Sequence, residues 1–172
     1  MSRTKTYIAG DWDHDDKAVK MLHYWNNSSK YGLSFSDAHD LTQARDTSLK
    51  CSIKRSLAYR MNESKTFVLI VGEHTKNLRA GSCYYCDSYN NYTCSCARGN
   101  SVDYQSYIDF ECKKAVSDEL EIIVFYNSTV VNRDKCPEIV RWRGVHRAMQ
   151  KRENGQLEWD YVNVKAAFNE SK

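Results

Sequence analysis

The chain has 172 residues, 41% hydrophobic and 27% charged, and 25 Lys and Arg against 22 Asp and Glu give a net charge of +3. That balance describes a soluble globule with a core of its own, the size of one ordinary domain. Charges of both signs are scattered without a basic block or an aromatic-basic stripe, which excludes nucleic acid as the expected partner.

The start, "MSRTKTYIAGDWD", has no apolar h-region and no small-residue cleavage site, and the longest apolar run, Phe67 to Val71, is too short to cross a bilayer. A cytoplasmic protein without a membrane partner is expected. In a reducing compartment the seven cysteines are expected as thiols or metal ligands rather than disulfides.

In chain order the first signal is a short strand, Tyr7 to Gly10, followed by the acid-rich turn "GDWDHDD". Ala18, Met21, Leu22 and Trp25 recur at helical spacing and predict a helix lying on a sheet. "YGLSFSDAHD" predicts a second strand around Leu33 to Phe35. A helix capped near Asp46 or Thr47 follows, with Leu49, Ile53 and Leu57 on one face. "TFVLIVG", Thr66 to Gly72, is a continuous β-branched apolar run stopped by glycine, as a central strand buried on both faces requires.

After a polar, cysteine-bearing loop comes "SYIDFECKKAV". Ser106 and Asp109 have the spacing of a capping box, so the helix should begin at Tyr107. Ile108, Cys112 and Ala115 then form its buried stripe, with Tyr107, Glu111 and Lys114 along one border. "EIIVFYN", Glu121 to Asn127, is another buried strand. Pro137 opens a helix-like stretch, a weaker strand runs through Gly144 to Gln150, and a last helix near Tyr161 to Phe168 is capped by Asp160.

Alternating strands and helices predict a three-layer α/β domain of flavodoxin-like type with roughly five parallel strands. One domain is expected over 1–172, with its core at about 7–168 and the cysteine-rich loop at about 80–105. Ligands of such sheets lie beyond the carboxyl ends of the strands. This directs attention to Gly10–Asp16, Ser36–Asp40, Gly72–Arg79 and the residues from Asn127 onward.

Glu111, one turn into its helix, has two readings: a carboxylate favoured by the helix dipole, or a catalytic acid held at the edge of the core. "DWDHDD" resembles the paired acids of a phosphoacceptor receiver with Asp13 among them, but Gly72 stands where the acceptor would be; helix capping explains Asp15 and Asp16 equally well. No G-x-G-x-x-G turn, Walker lysine motif or G-x-S-x-G elbow is present. Cys83, Cys86, Cys94 and Cys96 form a C-x₂-C-x₇-C-x-C array. A structural zinc clip on those four thiolates is one expectation, and plain reduced thiols or a redox pair are the other.

"TYIAGDWDHD", "FSDAHDLTQARDTSLKCSI", "KTFVLIVGEHTKNLR", "SYIDFECKKAV" and "EIIVFYN" together resemble the bacterial TIR-like domains of the Thoeris antiphage system, related to the MTH-type TIR-like proteins. The resemblance implies cleavage of the nicotinamide–ribose bond of NAD⁺. It also implies formation of an ADP-ribose-derived signal, a cyclic isomer or a histidine conjugate, that activates a separate effector protein. By motif position it makes Glu111 the catalytic residue, with NAD⁺ as substrate and no cofactor required for catalysis. Asp11, Trp12, Asp37, His39 and Tyr107 are then expected as substrate contacts. Self-association on activation belongs to the same picture, and a non-enzymatic interaction module is the alternative.

Overall fold

The computed structural model describes residues 4–38 and 49–171. Its elements are β1 (Lys5–Ala9), α1 (Asp16–Asn27), α2 (Lys50–Asn62), β2 (Ser64–Val71), the two-residue strands β3 (Tyr89–Asn90) and β4 (Ser95–Cys96), α3 (Tyr107–Ser117), β5 (Glu121–Tyr126), β6 (Val145–Ala148), β7 (Gln150–Glu153), β8 (Gln156–Trp159) and α4 (Tyr161–Glu170). β1, β2, β5 and β6 form a parallel sheet in the order β1-β2-β5-β6, with Tyr7 beside Phe67, Phe67 beside Ile122 and Ile123 beside Val145.

Strand periodicity of two residues divides the core into two halves. Tyr7, Ala9, Phe67, Leu69, Val71, Ile122, Val124 and Tyr126 pack with Met61 of α2 and with Ile108, Cys112 and Ala115 of α3. Ile8, Val68, Ile70, Ile123 and Phe125 pack on the other face with Ala18, Val19, Leu22 and Trp25 of α1 and Val164, Ala167 and Phe168 of α4. Full burial of each large apolar side chain contributes about 1.5–3 kcal/mol, so the two faces together set the layer order.

The strand expected around Leu33 to Phe35 does not form. Asn26 from the end of α1 takes both backbone groups of Phe35, with its Nδ2 3.0 Å from the carbonyl oxygen and its Oδ1 2.8 Å from the amide. A side chain thereby satisfies groups that a ladder would otherwise use. Only Asp37 joins the sheet, through a single parallel bridge to Thr6. That bridge lies beside β1, so the chain leaves β1 to one side and returns to the other as β2. The topological switch point falls between those two strands.

The helix-like stretch after Pro137 shrinks to one 3₁₀ turn, Glu138–Val140. The chain must then enter β6 through Gly144, whose φ is +73° and where a Cβ would stand 2.0 Å from the Ile122 carbonyl oxygen. β7 and β8 form an antiparallel hairpin outside the main sheet. Its Asn154 and Gly155 turn has φ values of 50° and 80°, as a type I′ turn needs. The expected Asp46 or Thr47 cap of α2 lies outside the described residues. Among those described, no helix is long and apolar enough to cross a membrane.

Candidate active site

The helix of the candidate acid starts where its capping box places it. Ser106 Oγ accepts the Asp109 amide at 3.1 Å and donates to Asp109 Oδ2 at 2.7 Å. Ile108, Cys112 and Ala115 are buried as the helical period demands, and Glu111 is buried with them at 5% exposure. A residue expected on the border of the stripe therefore lies inside the core. A carboxylate in that setting needs hydrogen-bond partners to offset its lost hydration.

One partner comes from β1. Tyr7 is fully buried, its ring stacks on Phe67 with centroids 6.1 Å apart, and its hydroxyl donates to Glu111 Oε1. Burial first, and the Glu111 charge next, push the phenol well above its ordinary range; Asp37 adds to this and Arg60 opposes it. Tyr7 is therefore a permanent donor near neutral pH. Asp37 in turn meets His23 Nε2 at 3.2 Å. β1, α2, α3 and the bridge segment thus place a phenol, two carboxylates and a guanidinium in one neighbourhood.

The acid-rich turn after β1 is a second polar cluster. Asp11 is buried and spends its carboxylate inside that turn, on the Asp13 amide at 3.1 Å and His14 Nδ1 at 2.7 Å. Trp12 stands beside it, 49% exposed. Asp15, which caps α1 by position, makes no side-chain cap. Its carboxylate instead accepts Asn127 Nδ2 at 2.8 Å and lies over Gly72, where a Cβ would stand 2.2 Å from both of its oxygens. The site of a receiver's phosphoacceptor is thus occupied by another residue's carboxylate. Burial raises the Asp15 carboxyl above its usual range.

Tyr107 packs its ring against Gly81, and its hydroxyl is buried without a partner among the described residues. Burial first, then the neighbouring Cys86 and Cys51 thiols, push it up to about 12. His39 lies outside the described residues. The seven cysteines are free thiols, and no three His, Cys, Asp or Glu side chains among the described residues gather as a metal-holding group. Cys83 Sγ instead accepts the Asp103 amide at 3.3 Å, and Cys94 Sγ lies 3.8 Å from the Asn91 carbonyl oxygen. Cys83, Cys86, Cys94 and Cys96 do not form such a group among the described residues.

Two clefts border α3. One of about 220 Å³ lies between Lys54, Ala58, Gly81 and Phe110, and an open one of about 790 Å³ runs along Asp109, Lys113 and Ile139. Glu111 lines neither, so the site rests on its partners rather than on concavity. Tyr7 and Arg60 were not singled out from the sequence. The signal for Tyr7 was available: it shares strand parity with Phe67's face, so a tyrosine there had to bring a hydroxyl into the core.

A four-stranded parallel sheet with paired helices on each face, and a buried glutamate on the helix preceding β5, are consistent with a TIR-like α/β fold. Residues 7–80 match the family model described as Thoeris protein ThsB, TIR-like domain. The match covers less than half of the chain and is a similarity to that family over those residues. It takes in Asp11, Trp12, Asp37 and His39 and ends before Glu111. No curated protein matches the chain.

Proposed function

We propose that this chain cleaves NAD⁺ in antiphage defence, releasing nicotinamide and forming an ADP-ribose-derived signal for a separate effector. The observation that carries the reading is the burial of Glu111 with the Tyr7 hydroxyl donating to it. An acid held in a core at such a desolvation cost is more readily explained by chemistry than by packing.

The bond from the ribose anomeric carbon to the nicotinamide nitrogen breaks, and its electron pair leaves on that nitrogen. The cationic pyridinium departs as neutral nicotinamide, so no general acid is needed. Positive charge grows on the ribose ring, and a fixed carboxylate stabilises it more as the bond opens. Water, an adenine nitrogen or an imidazole then forms the new bond to the anomeric carbon. The proton shed by water or imidazole passes to solvent.

The test is Glu111→Gln, an isostere that removes the charge. Nicotinamide release from NAD⁺ by the assembled or infection-activated protein should fall by roughly a hundredfold or more. The fold should persist, because glutamine keeps the size of the side chain and an oxygen that can accept the Tyr7 hydroxyl. Equal release by mutant and wild type refutes the assignment. Mass spectrometry of the nucleotides, with and without free histidine, names the product.

A module that signals by self-association is favoured by a separate observation. Tyr84 stacks on Tyr104 at 4.3 Å, Tyr89 joins them edge-on, and Tyr84 is 59% exposed. Exposed aromatic clusters of this kind suit an interface. Assembly lost in Tyr84→Ser, together with no nicotinamide release by the assembled wild type, would favour this reading over the first.

A further inference from the structure

The connection from β5 to β6 is basic: between Ser128 and Gly144 it carries Arg133, Lys135, Arg141 and Arg143 against Asp134 and Glu138. Arg133 Nη1 donates to the Arg141 carbonyl, and the Arg133 guanidinium lies 4.8 Å from the centroid of the Trp142 ring. Trp142 is otherwise 76% exposed. Arg141 is the unusual member. Its Nε and Nη2 are buried and without a hydrogen-bond partner among the described residues.

Those two nitrogens share one edge of the guanidinium, the edge that grips carboxylate or phosphate in a bidentate contact. The carboxylate beside this edge is Glu138, whose Oε1 lies 3.5 Å from Nη2, close enough to attract but not aligned as a hydrogen bond. The Glu138 side chain is 80% exposed while that of Arg141 is 19% exposed, so the acid can swing away and the base cannot. Unmet donors on a charged group are costly, and a held guanidinium edge under a loose carboxylate is a poised anion site.

We infer that Arg141 binds a phosphomonoester, with Glu138 as a displaceable placeholder, Arg133 adding positive charge, and the open face of Trp142 stacking the base of a nucleoside monophosphate. Phosphate supplies paired acceptor oxygens for the Nε–Nη2 edge, and an indole face accepts a planar ring. The inference does not rest on the reading of Glu111.

The test titrates the full chain at low salt with inorganic phosphate, AMP and adenosine, read by calorimetry and tryptophan fluorescence. Phosphate and AMP should bind, AMP more tightly, and adenosine should not saturate. Arg141→Gln should weaken both at least tenfold, and Arg141→Lys should fail to restore them because a point charge lacks the paired edge. Glu138→Ala should tighten binding several-fold, a gain that misfolding cannot mimic if Arg141→Gln proves unstable. Wild type that ignores both anions, Arg141→Gln that binds normally, or Glu138→Ala that binds more weakly each overturns the inference. AMP no tighter than phosphate removes Trp142 from the site.

Discussion

At the scale of single residues, Tyr7 offers a measurement of Glu111 that activity alone does not. Tyr7→Phe keeps the ring on Phe67 and deletes only the donor to the carboxylate. A hydrogen bond to a charged group contributes about 1.5–3 kcal/mol, so the thermal midpoint should drop by roughly 3–12 °C. Combined with Glu111→Gln the loss should shrink, because the second change removes the charge that needed the donor. Additive losses in that double-mutant cycle would show the two side chains to be uncoupled. Glu111 was legible in the sequence by its place in the helix, but its depth was not. Helical spacing set it beside Ile108 and Cys112, and the side on which β1 arrives decided that a border position became an interior one.

Among the elements, the segment between β2 and α3 is fastened from outside itself. Lys54 of α2 is buried, and its Nζ meets Asp103 Oδ2 at 2.8 Å and the Gln105 carbonyl at 2.7 Å, with its charge 5.7 Å from the Phe110 ring centroid. For Asp103 burial is the largest influence and acts upward, yet the Lys54 hydrogen bond and the Gln105 amide outweigh it and hold the carboxyl below its usual range. Lys54→Met keeps the apolar stem and removes the charge. It should cost about 1–2 kcal/mol, moderated by hydration of the partly exposed Asp103. Amide exchange should accelerate over residues 82–105 while β2 and β5 stay protected. Uniform acceleration across the sheet would refute a local clasp. The sequence showed this segment as polar and cysteine-rich and offered either a zinc clip or plain thiols there, neither of which names Lys54 as a fastener. A lysine three residues after a cysteine on α2 carries no local mark of that task, because its partners are about fifty positions away. Helices α1, α3 and α4 were readable because amphipathic period and caps are local. The strand expected at Leu33 is absent because Asn26, an off-pattern residue on the preceding helix, captures the backbone of Phe35.

For the whole molecule, buried neutral groups predict a stability maximum near neutrality. His146 is buried with Nδ1 2.9 Å from the Tyr126 hydroxyl and Nε2 3.0 Å from the Arg143 carbonyl oxygen. Burial first, then Arg133, lower its pKa. Its unfolded counterpart gains a proton near pH 6.5, so stability falls as pH drops through that value toward the lower folded one. Cys136 runs the other way: burial pushes its thiol up to about 11. Its contribution is complete below the unfolded thiol value of about 8.5 and is lost as pH rises from there toward the folded value. The thermal midpoint should therefore decline on both sides of neutrality. His146→Gln should flatten the acid limb and Cys136→Ala the alkaline limb, and an unchanged slope in either variant would remove that residue from the account.

The sequence by itself determined the α/β layers, the parallel sheet and the start of α3 at Tyr107, since these follow from periodicity, β-branched runs and capping within a few residues, while the candidacy of Glu111 came from the resemblance of its motif. Tertiary structure alone decided that Tyr7 meets Glu111 across 104 positions, that Asp15 fills the space over Gly72, that the four loop cysteines do not gather, and that Arg141 keeps a donor edge unfilled. The physical reason is the range of the interactions. Secondary structure is set by torsions and neighbouring side chains, whereas a buried polar group is defined by whatever the packed layers bring to it.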